Sequence, residues 1–238
     1  MDLFDRHWAT YRSIVDHDYM EHRAATAVAA HLLRERVGAH ETGAPPPRTV
    51  DLGCGDLALL GPTLRHLPLS SYEGIDIAAN VLPLAERSLE GAPYPRRFVV
   101  GDLLAWAEGK VPDDDGRPAD LLLSSFAVHH LHDDEKEQFF RAARRRSTRG
   151  APFLWNDLFR EPAESLASYV ARYSRRVRET WTALDPEERE QVVEHLSTLD
   201  HPADREAITG LLEAAGWRWQ WVWRGHHSAE AMLLLEAA

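Results

Sequence analysis

The run VDLGCGDLALL, at residues 50–60, limits the fold more than any other stretch of this chain. A short apolar strand at 49–52 ends in Gly53-Cys54-Gly55. Glycines there allow positive φ and place no Cβ against a ligand. A helix is expected to open beyond the turn, with its free N–H groups aimed at whatever sits in the crevice. Gly61-Pro62 should interrupt that helix, Pro62 standing in a new first turn. Later apolar runs end in the same manner. Residues 72–75 lead to Asp76, 98–100 to Gly101-Asp102, 120–123 to Ser124-Ser125-Phe126, and 151–155 to Asn156-Asp157. Helical patterns fill the gaps at 78–89, 103–108 and 133–146. The last of these has acids first and Arg144, Arg145 and Arg146 last, which suits its dipole without any ligand. Strands that alternate with helices predict an α/β domain, doubly wound, with a parallel sheet covered on both faces. Ligand should then lie beyond the carboxyl ends of the strands, where these polar tips gather.

Helical segments flank this core. Leu3, Phe4, Trp8, Tyr11 and Val15 have helical spacing, Asp16-His17-Asp18 reads as a break, and a second helix is predicted over 19–37 with Gly38 as its stop. The proline-rich stretch 43–47 reads as a linker, and 113–116 as a surface turn. Residues 161–203 exceed what a simple crossover needs. Leu166, Tyr169, Val170, Tyr173, Val177 and Trp181 form one helical stripe, and Asp185-Pro186-Glu187-Glu188 starts another helix. Arg172, Arg175, Arg176 and Arg178 read as a solvated face, with an anionic substrate as the alternative. A helix over 204–215 should stop at Gly216. Trp217, Trp219, Trp221 and Trp223 then alternate with other residues at the period of a strand and should cover one sheet face. A final strand is predicted over 229–235.

The formal charge of −11 weighs against a nucleic-acid partner and against a stacking role for those tryptophans. The single cysteine, Cys54, cannot form an internal disulfide and suggests no thiolate metal site. No apolar run approaches the roughly 20 residues that span a bilayer. The amino-terminus lacks the basic-then-apolar layout of a signal peptide. The expectation is a cytoplasmic protein with no membrane partner.

In order and spacing, DLGCGD, GIDI, GDLL and DLLLSSFAVHHL resemble the motif series of class I S-adenosylmethionine-dependent methyltransferases, over residues 48–157. The resemblance implies a Rossmann-like, mostly parallel seven-stranded sheet with an antiparallel last strand in an edge hairpin. It implies an amino-terminal arm at 1–47 acting as a lid, a cofactor-binding domain at 48–238, and inserted helices at 161–203. It implies S-adenosylmethionine as cofactor. Gly53, Cys54 and Gly55 would line its methionine and ribose part, with Asp51 beneath, bonded directly or through water. Asp76 would accept the ribose hydroxyls and Ile77 would pack on adenine. Asp102 would accept the adenine amino group, with Leu103 on the other ring face, and Ser125 and Phe126 would lie beside the sulfonium. For Asp76 and Asp102 the alternative is a turn or helix-cap acid, and Cys54 reads as a packing residue rather than a nucleophile. Leu57 departs from the family's further glycine and should make the turn less permissive.

His129 and His130 follow the fourth strand, where the acceptor should meet the methyl group, and are the candidate catalytic pair. Asp157 faces the same presumed pocket, or caps a helix. Tyr11, Tyr19 and His22 are lid candidates for contact with substrate or cofactor. An activated methyl group calls for no metal. The leading expectation is methyl transfer to a small-molecule acceptor by a monomer or homodimer. A cyclase or lyase that releases methylthioadenosine, and a non-catalytic cofactor-binding partner, are the alternatives.

Overall fold

β1 (Arg48–Leu52) is buried at every residue, and the sheet grows outward from it on both sides. The computed structural model describes residues 8–38, 45–111 and 116–238. Expectations that fall on Leu3 and Phe4, on Gly43, on the acidic turn at 113–115 and on the side chain of Trp8 lie outside the described residues.

Before the sheet come α1 (Trp8–Asp16) and α2 (His22–Gly38). After β1 the chain forms α3 (Gly61–Leu64), β2 (Ser71–Asp76), α4 (Leu82–Ser88), β3 (Arg96–Val100), α5 (Leu103–Ala107), β4 (Leu121–Ser125), a single 3-10 turn at Val128–His130, and α6 (Asp133–Arg145). There follow β5 (Pro152–Arg160), α7 (Leu166–Thr180), α8 (Pro186–Thr198), β6 (Ala203–Asp204), α9 (Ala207–Ala214), β7 (Trp217–Arg224) and β8 (Glu230–Ala237). The strand order is β3-β2-β1-β4-β5-β8-β7, with the two-residue β6 paired to β5. β1 to β5 are mutually parallel, and β8 runs antiparallel to both β5 and β7. The order reverses between β1 and β4, so the ligand crevice lies beyond their carboxyl ends.

Alternation along the strands builds two cores. Leu122, Phe153 and Trp155 face one cluster with Phe139, Phe140 and Trp217; Leu121, Leu123 and Leu154 face the other with Leu33, Val37 and Tyr72. A third cluster, Ile14 with Tyr169, Tyr173, Val177, Trp181 and Leu196, joins α1 to the inserted helices above the sheet.

Four sequence expectations need correction. No helix opens directly after the glycine turn: Leu57 takes φ 56°, and the helix is confined to Gly61–Leu64 because Pro62, within its first turn, cannot continue an earlier ladder. For the same reason α4 begins at Leu82, with Pro83 in its first turn, rather than at residue 78. β5 does not end at Asn156-Asp157. Pairing with β8 carries it to Arg160, since Leu158 and Phe159 are apolar and buried and the Asp157 carboxylate is fully bonded inside the sheet. The tryptophans of β7 do not share one face. A bulge between Trp221 and Trp223 flips the register, so Trp217, Trp219 and Trp221 pack on one core and Trp223 on the other.

Candidate active site

The glycine turn is pinned to the neighbouring strand, and this shapes the crevice floor. Gly53 N–H and Cys54 N–H both donate to Ile75 O, at 2.8 and 3.1 Å. Gly53 has φ 74°, and a Cβ there would stand 2.4 Å from Ala127 Cβ, so only glycine lets the loop after β4 come this close. Gly55, at φ 56°, is the reverse case: a Cβ would meet nothing within 4 Å and would project into open space.

Asp76 closes the turn from the end of β2. Its Oδ2 accepts from Gly55 N–H at 2.8 Å and its Oδ1 from Ala78 N–H at 2.9 Å. Asp76 thus acts as a turn acid at the end of β2. Asp102 likewise caps α5, accepting from Ala105 N–H at 2.9 Å. Asp76, Ile77, Asp102 and Leu103 share one wall of a cavity, with Ile77 as an apolar shelf that is 52% exposed.

Two cavities meet over the turn. The smaller, about 340 Å³, is lined by Asp51, Gly53, Cys54, Gly55, Ser125 and Asn156. The larger, about 400 Å³, runs from Asp76 and Asp102 to His129, His130, His195 and Asp200. Tyr11, His22, Gly53, Gly55, Ser125 and Phe126 border both.

Asp51 lies under the turn and accepts from the Tyr72 hydroxyl at 2.7 Å. Burial pushes its carboxyl up to about 6; the Tyr72 bond opposes this and the charge on Asp76 adds to it. Burial, with Asp51 and Asp76 nearby, also drives the Cys54 thiol well above its ordinary value. It is a buried thiol, not a nucleophilic thiolate. Asn156 donates through Nδ2 to Ser125 Oγ at 3.0 Å, while its buried Oδ1 accepts no hydrogen bond from the described residues. Phe126 is held at φ 54°, a conformation that costs energy for a bulky residue, and its ring meets His22 at 4.9 Å.

The arm supplies the roof. Arg12 bonds Asp56 at 3.2 Å, tying α1 to the glycine loop. Burial pulls His22 down to about 4, so it is neutral at pH 7, and its Nδ1 has no hydrogen-bond partner among the described residues. Tyr11 borders both cavities, its phenol pushed up by burial and by the charges of Asp56 and Asp76. Tyr19 borders neither. It stacks on Trp181 at 5.0 Å and accepts from Ala183 N–H at 2.7 Å, so it fastens the arm to the inserted helices.

The histidine pair is unequal. His129 is buried and bonds Asp157 Oδ1 through Nδ1 at 2.5 Å, while its backbone N–H donates to Asp157 Oδ2 at 3.1 Å. Burial lowers its pKa, but Asp157 and Asp200 more than offset this and leave it raised. His130 is pushed down to about 3 by burial and by His129, against the pull of Asp200. Asp157 itself is fully buried within β5 and borders neither cavity; it also takes Trp155 Nε1–H at 2.7 Å. It is neither a pocket residue nor a helix cap but the group that orients His129. Asp200 and His195, which close this end, were not singled out by the sequence: they sit at the end of α8 in no motif. Nothing in the sequence marked Asn156 beyond its place after an apolar run.

Residues 49–150 match the family described as "Methyltransferase domain". No curated protein sequence matches the chain. Among solved structures, it is similar to the plantazolicin methyltransferase BpumL in complex with a desmethyl analogue and SAH, at TM-score 0.62 and 11% identity, covering 95% of this chain and 90% of that one. It is similar to the magnesium protoporphyrin IX methyltransferase of Synechocystis with bound SAH, at TM-score 0.55 and 14% identity, covering 89% and 84%. The YcgJ protein of a Bacillus species aligns at TM-score 0.56 and 12% identity, covering 85% and 97%.

Proposed function

We propose that this chain, whose residues 49–150 match a methyltransferase-domain family, is a class I S-adenosylmethionine-dependent methyltransferase that methylates a small-molecule acceptor held in the larger cavity. Its cofactor is S-adenosylmethionine, and the residues present suit it. Gly55 leaves open space where any side chain would intrude, and Asn156 Oδ1 and His22 Nδ1 are buried polar atoms of cavity-lining residues with no partner among the described residues. Bound there, the cofactor supplies a methyl group already activated on a sulfonium.

Asp76, Ile77, Asp102 and Leu103 would hold the adenosine end. Asp51, the glycine turn and Asn156 would hold the amino-acid end. Ser125, Phe126 and His22 line both cavities and would border the place where donor and acceptor meet. Residues of the arm and the inserted helices line the acceptor end, and their closing over bound ligands would exclude water and favour an oriented transfer. His129 and His130 are the side chains we place against the acceptor's reactive atom, His129 held in one orientation by Asp157.

One observation carries the small-molecule reading. Ile14, Met20, Tyr173, Trp181, Val192 and Leu196, from the arm and the inserted helices, wall the acceptor half. The whole cavity is about 400 Å³, and the adenosine end would fill part of it, so what remains for the acceptor is the size of a small ligand. The test is product analysis with the cofactor and a panel of small hydroxyl, amine and activated-carbon acceptors. S-adenosylhomocysteine formed only in the presence of an acceptor is the expected result. Methylthioadenosine as the product, or methylation of protein or nucleic acid in preference to the panel, would overturn the reading.

A further inference from the structure

At the acceptor end of the larger cavity, three imidazoles surround one carboxylate oxygen. His195 Nε2, His130 Nδ1 and His129 Nε2 stand 3.2, 3.4 and 3.6 Å from Asp200 Oδ1. Asp200 is buried, and its Oδ1 faces three imidazole nitrogens at such range, His195 within hydrogen-bond reach, while His130 Nδ1 also lies 3.4 Å from Leu199 O. His129, His130 and Asp200 each offer a ligand atom within 4.8 Å of the other two. With metal–ligand bonds of about 2.0–2.1 Å, neighbouring vertices of a coordination tetrahedron lie about 3.3–3.4 Å apart. The spacings around Asp200 Oδ1 match those edges.

Two further features suit an ion. His129 is backed through Nδ1 by Asp157, and a carboxylate behind a histidine fixes the tautomer that leaves Nε2 as a ligand. Asp157 in turn is held by the indole of Trp155 and the N–H of Leu158, at 2.7 and 2.9 Å. Two buried carboxylates, Asp157 and Asp200, thus lie within reach of one imidazole, at 2.5 and 3.6 Å, and a cation placed among them would balance their charge.

We propose that His129, His130 and Asp200, with His195 beside them, form a site for one divalent first-row transition ion. The donor set of imidazoles and a carboxylate suits zinc, cobalt, nickel or ferrous iron rather than magnesium or calcium. All four side chains line the larger cavity, so the acceptor such an ion would favour is one that presents an oxygen donor, such as a hydroxyl or phenol. That last clause rests on the methyltransferase reading; the binding of the ion does not.

The test uses the full-length, ligand-free protein stripped with a chelator and titrated with Co²⁺ alone. The expected result is visible d–d absorption that saturates at one equivalent. Affinity should fall at least tenfold in Asp200→Asn and in His130→Ala, each first checked for native circular dichroism. His130 is partly exposed, so its truncation keeps the test open should the buried Asp200 variant fail to fold. The chain has 13 histidines, and exposed His31 beside Glu35 offers an adventitious pair; His31→Ala should leave the titration unchanged. Absence of the cobalt bands, or isotherms unaltered in Asp200→Asn and His130→Ala, overturns the proposal. Calorimetry with S-adenosylmethionine on the same preparations tests the methyltransferase reading separately, since cofactor binding does not require the ion.

Discussion

Replacing Asp51 with Asn should make this protein more stable at neutral pH, and by an amount that the site sets. In an unfolded chain this carboxyl titrates near 3.9. In the folded protein burial raises it to about 6. The folded state therefore binds the proton more tightly, and the associated stability is fully present below pH ~4 and lost as pH rises through ~6. Two pKa units correspond to about 3 kcal/mol. Asn carries no charge at any pH and can still accept from the Tyr72 hydroxyl. Wild type and Asp51→Asn should thus unfold at similar urea concentrations near pH 4, and diverge to about 2–3 kcal/mol in favour of the variant at pH 7. For a chain of this length that is a Tm difference of roughly 5–10 °C. His22 and His130, both depressed, change stability in the opposite sense over the same range, but they are common to both proteins and drop out of the difference. The measurement is urea or thermal unfolding of the ligand-free protein at half-unit steps from pH 4 to 7. Parallel curves would show that Asp51 is not held as a raised, buried carboxyl, and the account of the floor beneath the glycine turn would fail.

Gly53→Ala and Gly55→Ala should separate folding from binding. The first forces two Cβ atoms to within 2.4 Å and should cost more than 2 kcal/mol in urea unfolding, whereas the second meets nothing and should cost about 1 kcal/mol for its positive φ while weakening cofactor affinity in calorimetry. Equal stability losses would contradict this. Asp76→Asn keeps one carbonyl acceptor for the turn, so the fold should survive while S-adenosylmethionine binding drops at least tenfold; unchanged affinity would remove Asp76 from the site. His22→Leu deletes a buried nitrogen that has no partner among the described residues and should stabilise the ligand-free protein by about 1 kcal/mol at pH 7. Because the His22 imidazole titrates at about 4 when folded against ~6.5 unfolded, the gain should widen as pH falls below ~6.5, and kcat/KM should fall. A variant that is both more stable and fully active would make His22 a bystander.

What could be read along the chain was what local chemistry fixes. Apolar runs that end in glycine or acid mark strand tips, and the glycine pair marks a turn that must take positive φ. Asp76 and Asp102 were legible because a parallel sheet brings every strand's carboxyl end to the same edge. Tertiary structure alone decided which side chains meet there. Leu57 accepts a left-handed conformation because the surrounding turn requires it, against its own preference. Asp157 reads locally as the polar end of a strand, yet pairing with β8 carries the ladder past it and turns it into the buried anchor of His129. Asp200 and His195 lie about 70 residues beyond His129 and reach it only because α8 folds back over the cavity mouth. Periodicity and turn propensity act over a few residues; the convergence of distant side chains is set by how helices and sheet pack, and no local pattern encodes it.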